Sequence, residues 1–176
     1  MMAEVLKSLI VRSDDSKAMW FVAHTRPRCE KRLFDYCRRE QLAATLPCYS
    51  SAHKYRGKTV VFQKPLFPGY VFLHIPPRLR ALVQQNDHVA NLLEVPDQQT
   101  LECQLRDILL ALEAGLEVRL APNISQGSRV RIKSGPLRGV EGWVEQRLGM
   151  DTIFLRLDFI SEAAAVRVGA ETLELA

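Results

Sequence analysis

His24 and Cys29 stand five residues apart, an imidazole and a thiol that could serve as base and nucleophile. Cys29 also falls on one apolar helix stripe with Leu33, Phe34 and Cys37, which reads as core. No P-loop, G-x-G-x-x-G, G-x-S-x-G or H-E-x-x-H occurs, and no two carboxylates stand out as an acid–base couple. The four cysteines, Cys29, Cys37, Cys48 and Cys103, include no C-x-x-C pair, and only four histidines accompany them. Neither a zinc site nor a disulfide framework is expected; reduced core thiols of a cytosolic protein are. The residues argue for a binding protein without catalytic groups, metal or cofactor.

The chemistry that is present is electrostatic. Residues 19–80 hold twelve Lys or Arg against Glu30, Asp35 and Glu40, a net +9. Residues 81–117 hold seven acids against Arg106, a net −6, and residues 118–176 are nearly balanced. A block of one sign either solvates a face or attracts phosphates. Inside the basic block lies Lys64-Pro65-Leu66-Phe67-Pro68-Gly69-Tyr70-Val71-Phe72-Leu73. Two prolines and a glycine place a bend before a strand. That bend can be an ordinary turn with core aromatics, or it can present Phe67 and Tyr70 to a partner.

The elements that must position these groups follow from periodicity. Met19–His24 reads as a buried strand and Arg28–Leu42 as a helix with Pro27 in its first turn. Ala43–Ser50 reads as a second strand and His53–Lys64 as a hairpin turning at Gly57-Lys58. Strand Tyr70–Ile75, a short helix through Gln85, strand Val89–Val95 and an Asp97-capped helix Gln98–Ala114 complete the first 115 residues. In that last helix Leu101, Leu105, Ile108, Leu109 and Leu112 form the apolar stripe. The order β-α-β-β-β-α-β-α predicts an α+β sandwich on a mostly antiparallel sheet. Glu117–Ile124, with Ala121-Pro122-Asn123, reads as a linker. Five short strands then follow, Arg129–Lys133, Val140–Gln146, Thr152–Phe159, Ala165–Val168 and Thr172–Leu175, enough for a small β-barrel. The expected layout is a flexible extension over 1–18, a first domain over 19–115, a linker over 116–124 and a barrel over 125–176. The apolar run Leu9-Ile10-Val11 is too short for a signal-peptide core, and no eighteen-residue apolar run suggests a membrane span.

Three motifs carry a resemblance to the NusG family of transcription elongation factors. Trp20-Phe21-Val22-Ala23-His24-Thr25-Arg26-Pro27-Arg28-Cys29-Glu30-Lys31-Arg32 resembles the first strand and helix of the family's N-terminal (NGN) domain. Pro65-Leu66-Phe67-Pro68-Gly69-Tyr70-Val71-Phe72 resembles that domain's F-P-G-Y turn. Gly127 to Val144, with Lys133-Ser134-Gly135-Pro136 and Gly139 inside it, resembles the KOW motif of an SH3-like barrel. The segment after the first strand, Thr25-Arg26-Pro27-Arg28, looks more like the specialised, RfaH-like branch than the housekeeping factor.

The resemblance implies a monomeric, cytoplasmic factor that binds RNA polymerase, suppresses pausing or termination on one or a few operons, and contacts no membrane. It implies that His24, Phe67, Pro68 and Tyr70 form an apolar pocket for the β′ clamp helices, with Arg80 and Val83 near the gate loop of the β lobe. Arg26, Arg32, Tyr36 and Arg39 would meet the non-template DNA strand, and Lys54, Arg56 and Lys58 on the hairpin could extend that contact. Phe159 and Ile160 would recruit ribosomal protein S10 or the termination factor Rho, or else belong to the barrel core. A general NusG-type factor and a ribosome-associated KOW protein are the alternatives; the acidic 81–117 segment weighs against the latter.

Overall fold

The computed structural model describes residues 17–122, 127–147, 150–168 and 173–175. Most of the extension expected over 1–18, part of the expected linker and residues 148–149 and 169–172 lie outside these residues. The described chain divides into two compact units: the described part of Met1–Pro47 with Phe67–Gln98, and Cys48–Leu66 with the described part of Gln99–Ala176.

The first unit is built around β1 (Met19–Thr25). Phe21, Val22 and Ala23 are buried in succession, so both faces of β1, an inner strand of the sheet, are covered there. The sheet runs in the order β2 (Ala44–Thr45), β5 (Tyr70–Ile75), β1 and β6 (Val89–Glu94), all antiparallel. Phe21 lies opposite Leu73 on one side and Glu94 on the other. Helix α1 (Glu30–Arg39) packs on β2 and β5 and buries Leu33, Phe34 and Cys37. It is shorter at both ends than its apolar spacing predicts. Arg28 takes φ 61 and so stands outside the helix, with Cys29 as a cap that makes no side-chain bond. At the other end Gln41 takes φ 56, and Leu42 donates to the Cys37 carbonyl at 2.8 Å, a left-handed cap without glycine. Helix α2 (Arg80–Gln84), preceded by a 3-10 turn at Pro77–Leu79, packs on β6.

The second unit contains a two-stranded ribbon, helix α3 (Gln98–Glu113, from its second residue) and a six-stranded antiparallel sheet. The ribbon pairs β3 (Cys48–Tyr55) with β4 (Lys58–Pro65), from Tyr55 opposite Lys58 down to Cys48 opposite Pro65. Its strands are longer than the hairpin expected from His53, and they absorb the end of the strand expected over 43–50. Arg56 (φ 47) and Gly57 (φ 77) turn it with both residues left-handed, the two-residue form that matches strand twist. In α3, Leu101, Leu105, Ile108 and Ala111 are buried, whereas Leu109 and Leu112 are only half-buried.

The large sheet runs β12-β8-β9-β10-β11-β7. β8 (Ser128–Ile132), β9 (Glu141–Arg147), β10 (Met150–Leu157), β11 (Glu162–Val168) and β12 (Leu173–Leu175) occupy the positions of the five expected strands. The sixth, β7 (Val118–Pro122), comes from the segment expected to be a linker and pairs with β11, Val118 opposite Val166.

All four cysteines are free, with Cys37 and Cys48 buried and Cys29 and Cys103 half-buried. Burial pushes the Cys37 thiol up to about 12, so it holds its proton and reacts poorly. Brief iodoacetamide treatment of the native chain should label Cys29 and Cys103 first and spare Cys37 and Cys48. Intact-mass spectrometry showing Cys37 labelled as fast as Cys29 would contradict this packing.

Candidate functional site

The end of β1 and the start of β5 meet where the F-P-G-Y turn lies. His24 is directly opposite Tyr70, their ring centroids 5.3 Å apart and tilted by 30°. His24 and Pro68 are exposed and Tyr70 is half-buried, so the three form one accessible rim. Gly69 turns the chain at φ +88, and a side chain there would begin 3.6 Å from the His24 ring.

Three hydrogen bonds fix this turn. Thr25 donates its N–H to the Gly69 carbonyl at 2.8 Å, and Tyr70 donates to Phe67 at 3.2 Å. The Gly69 N–H donates to Glu30 Oε1 at 2.7 Å. Glu30 is the first residue of α1 and is buried, at 8 % exposure. A carboxylate there is favoured by the helix N-terminus, and its bond to the amide is charge-assisted. Glu30 is thus the residue that orients the rim, and no expectation singled it out. A lone acid among the cations of residues 26–32 was the available signal.

Two expected contact residues are corrected. Phe67 is 1 % exposed and meets Phe72 edge-on at 6.2 Å and 82°. Its ring is core beneath the rim, because the turn at Pro68-Gly69 reverses the direction in which it points. Val83 is also fully buried, and its neighbour Leu82 is the exposed apolar group of α2, at 42 %. Arg80 is half-buried and ion-paired with Glu94.

The basic residues fall into two sets. Arg26, Arg32 and Arg39 are exposed and Tyr36 is half-buried. Arg26 follows β1, held by its N–H donating to His88 at 2.9 Å. Arg32, Tyr36 and Arg39 are spaced i, i+4 and i+7 and so share one face of α1. Partial burial raises the Tyr36 phenol above its usual value, and the nearby Glu40 adds to this. The phenol therefore stays protonated as a donor near neutral pH. Lys54, Arg56 and Lys58 are exposed at the tip of the ribbon, in the second unit.

Phe159 and Ile160 are half-buried in a 3-10 turn, Asp158–Ile160, that links β10 to β11. The turn is tied to α3: Gln104 donates to Asp158 Oδ2 at 2.7 Å, and the Asp158 N–H donates to Gln104 Oε1 at 3.0 Å. On β8 to β10, Arg156 stacks over the Trp143 ring at 3.9 Å, and Arg129 and Arg131 both pair with Glu141. The hydrogen bond from Arg131, with Arg129 beside it, holds the Glu141 carboxyl below its usual range.

Among the described residues no group of His, Cys, Asp and Glu could hold a metal, and no helix is long and apolar enough to cross a membrane. The first unit thus carries an aromatic–proline rim and a helix face bearing Arg32, Tyr36 and Arg39. The chain belongs to the NusG family of non-enzymatic transcription factors: residues 18–108 match that family, described as transcription termination factor nusG. No curated protein matches the chain. A similar solved structure is that of an MjSpt4:Spt5 complex in conformation B, at 18 % identity and a TM-score of 0.30, covering 90 % of this chain and 97 % of that one.

Proposed function

We propose that this chain is a transcription elongation and antitermination factor that docks on RNA polymerase through the His24–Pro68–Tyr70 rim. The observation that carries the reading is the accessible His24–Tyr70 pair, His24 exposed and Tyr70 half-buried, on a turn fixed by Glu30. Two rings and a proline on a rigid bend offer an apolar surface with little conformational entropy to lose on binding. The clamp helices of the β′ subunit are the partner of this rim. Arg80 and the exposed Leu82 stand toward the β gate loop, in place of the buried Val83. Arg26, Arg32, Tyr36 and Arg39 face the non-template strand, where cations neutralise phosphates and the Tyr36 ring stacks. A factor that binds the closed clamp better than the open one shifts polymerase away from paused states by that difference in affinity.

The NGN-type domain spans 19–115. The strands of 125–176 form a KOW-type SH3-like barrel that recruits ribosomal protein S10 or Rho through Phe159 and Ile160. The Thr25-Arg26-Pro27-Arg28 segment supports a specialised, RfaH-like role on one or a few operons, in a monomer acting in the cytoplasm.

Purified polymerase should retain the wild-type chain, and His24→Ala combined with Tyr70→Ala should weaken retention by about tenfold or more, as loss of a hot spot does. His24 is exposed and Tyr70 only half-buried, so the melting temperature should fall far less than on loss of a buried core ring. Undiminished retention of the double variant would place the docking surface elsewhere.

A further inference from the structure

We propose that the open edge of β4 binds an extended acidic segment of a partner protein, which adds a third strand to the ribbon. Among the described residues β4 pairs with β3 alone, so its other edge faces no strand. Such an edge carries backbone N–H and C=O groups that an incoming strand can satisfy. Its side chains are apolar where exposed edges are ordinarily polar. Val60, Val61 and Phe62 stand in succession at 40 %, 58 % and 50 % exposure. Phe62 is held in place by His53, their ring centroids 5.9 Å apart, and His53 Nε2 accepts from Lys64 Nζ at 3.0 Å.

Charge and register decide the occupant. Alternate residues of a strand share a face, so Lys58, Val60, Phe62 and Lys64 line one face of β4, with Thr59, Val61 and Gln63 on the other. An apolar middle thus lies between two lysines, and residues 48–66 contain no acid. These charges disfavour a second copy of this chain. Two β4 strands paired in parallel register would set Lys58 against Lys58, and paired antiparallel about Val61 they would set Lys58 against Lys64. Like charges directly opposite destabilise a strand pair, and an acid opposite each lysine reverses the sign. The incoming strand therefore reads acid, polar, three apolar residues, polar, acid, a pattern that is the same in either direction. A nucleic acid fits less well. Valine has no aromatic face on which a base can stack, so Val60 and Val61 would stay in water.

The probe is a synthetic peptide with a glutamate at each end, a threonine inside each and three valines in the middle. Titrated into the isotope-labelled full chain, it should shift the backbone amide NMR signals of residues 58–64 more than those of the His24–Tyr70 rim. Lys58→Glu with Lys64→Glu should weaken binding by about tenfold, and a peptide with lysines at its ends should restore it on that variant. Only every second amide of an added strand points at its neighbour. N-methylating alternate peptide amides should therefore abolish binding in one phase and spare it in the other. His24→Ala with Tyr70→Ala should bind the peptide as the wild type does, so failure of the edge and failure of the docking rim are distinguishable. Four results would each overturn the edge site. These are no shifts over 58–64 at millimolar peptide, equal binding by both N-methylated phases, displacement of the peptide by equimolar oligothymidylate, and shifts over 58–64 that grow with the concentration of the chain alone.

Discussion

Phe67→Ala should lower the stability of the first unit by about 3–5 kcal/mol, the range for truncating a buried aromatic. The ring is 1 % exposed, and its edge rests on Phe72, which is itself fully buried. Removing it leaves a void beneath the Pro68-Gly69 bend, against the buried Phe72 ring. Proteins of this size have a total stability of about 5–15 kcal/mol, so the loss is a large fraction of it. Trp20 lies on β1 of the first unit and Trp143 on β9 of the second, and the chain has two tryptophans. Urea titration followed by Trp20 fluorescence in a Trp143→Phe background would therefore report the first unit alone. Phe67→Leu, which refills most of the space, should recover more than half of the loss. If Phe67→Ala left the urea midpoint in place and instead abolished polymerase retention, the ring would be a surface contact and the packing described above would be wrong.

That outcome bears on what the sequence could convey. The strand after the F-P-G-Y turn was legible because Tyr70–Ile75 is apolar and bounded by prolines. Which way Phe67 points was not. Counting alternate faces back from Tyr70 requires an unbroken extended backbone, and Gly69 at φ +88 breaks it. Val83 failed for a different reason. A five-residue helix is too short to show a period, and Leu82 and Val83 are equally apolar, so nothing in their types says which one faces solvent. The strands of the second half were legible from strict alternation, as in Arg129-Val130-Arg131-Ile132. β7 alternates too, as Val118-Arg119-Leu120, but Pro122-Asn123 after it drew the reading toward a linker. The end of α1 carried no glycine to mark it, since Gln41 fills the left-handed cap. These gaps share one cause: each depends on where the backbone turns, and side-chain type constrains that weakly.

Glu30→Ala should have the second large effect, and it acts on stability and docking together. The carboxylate is buried and receives the Gly69 N–H at 2.7 Å, joining the first turn of α1 to a loop 39 residues away in sequence. Alanine would leave that amide without its acceptor in a part-buried position, a loss of about 1–3 kcal/mol. Glu30→Gln keeps an oxygen in place and should cost about 1 kcal/mol, the net worth of the charge assistance. The turn would then be held through the Thr25 N–H to Gly69 carbonyl bond and the Tyr70 N–H to Phe67 bond. Tyr70 would lose its fixed position opposite His24, and retention on polymerase should fall although Glu30 is too buried to touch a partner. A double-mutant cycle separates this from simple unfolding. With the chain kept well below its melting temperature, Tyr70→Ala should weaken retention much less in the Glu30→Ala background than in the wild type, a coupling of about 0.5–3 kcal/mol. Additive losses would show that Glu30 supports the fold without orienting the rim. Coupling of that size, with Glu30→Gln lying near the wild type, would mean that α1 does two jobs. Its outer face carries Arg32, Tyr36 and Arg39, and its buried first residue holds the docking turn in register with them.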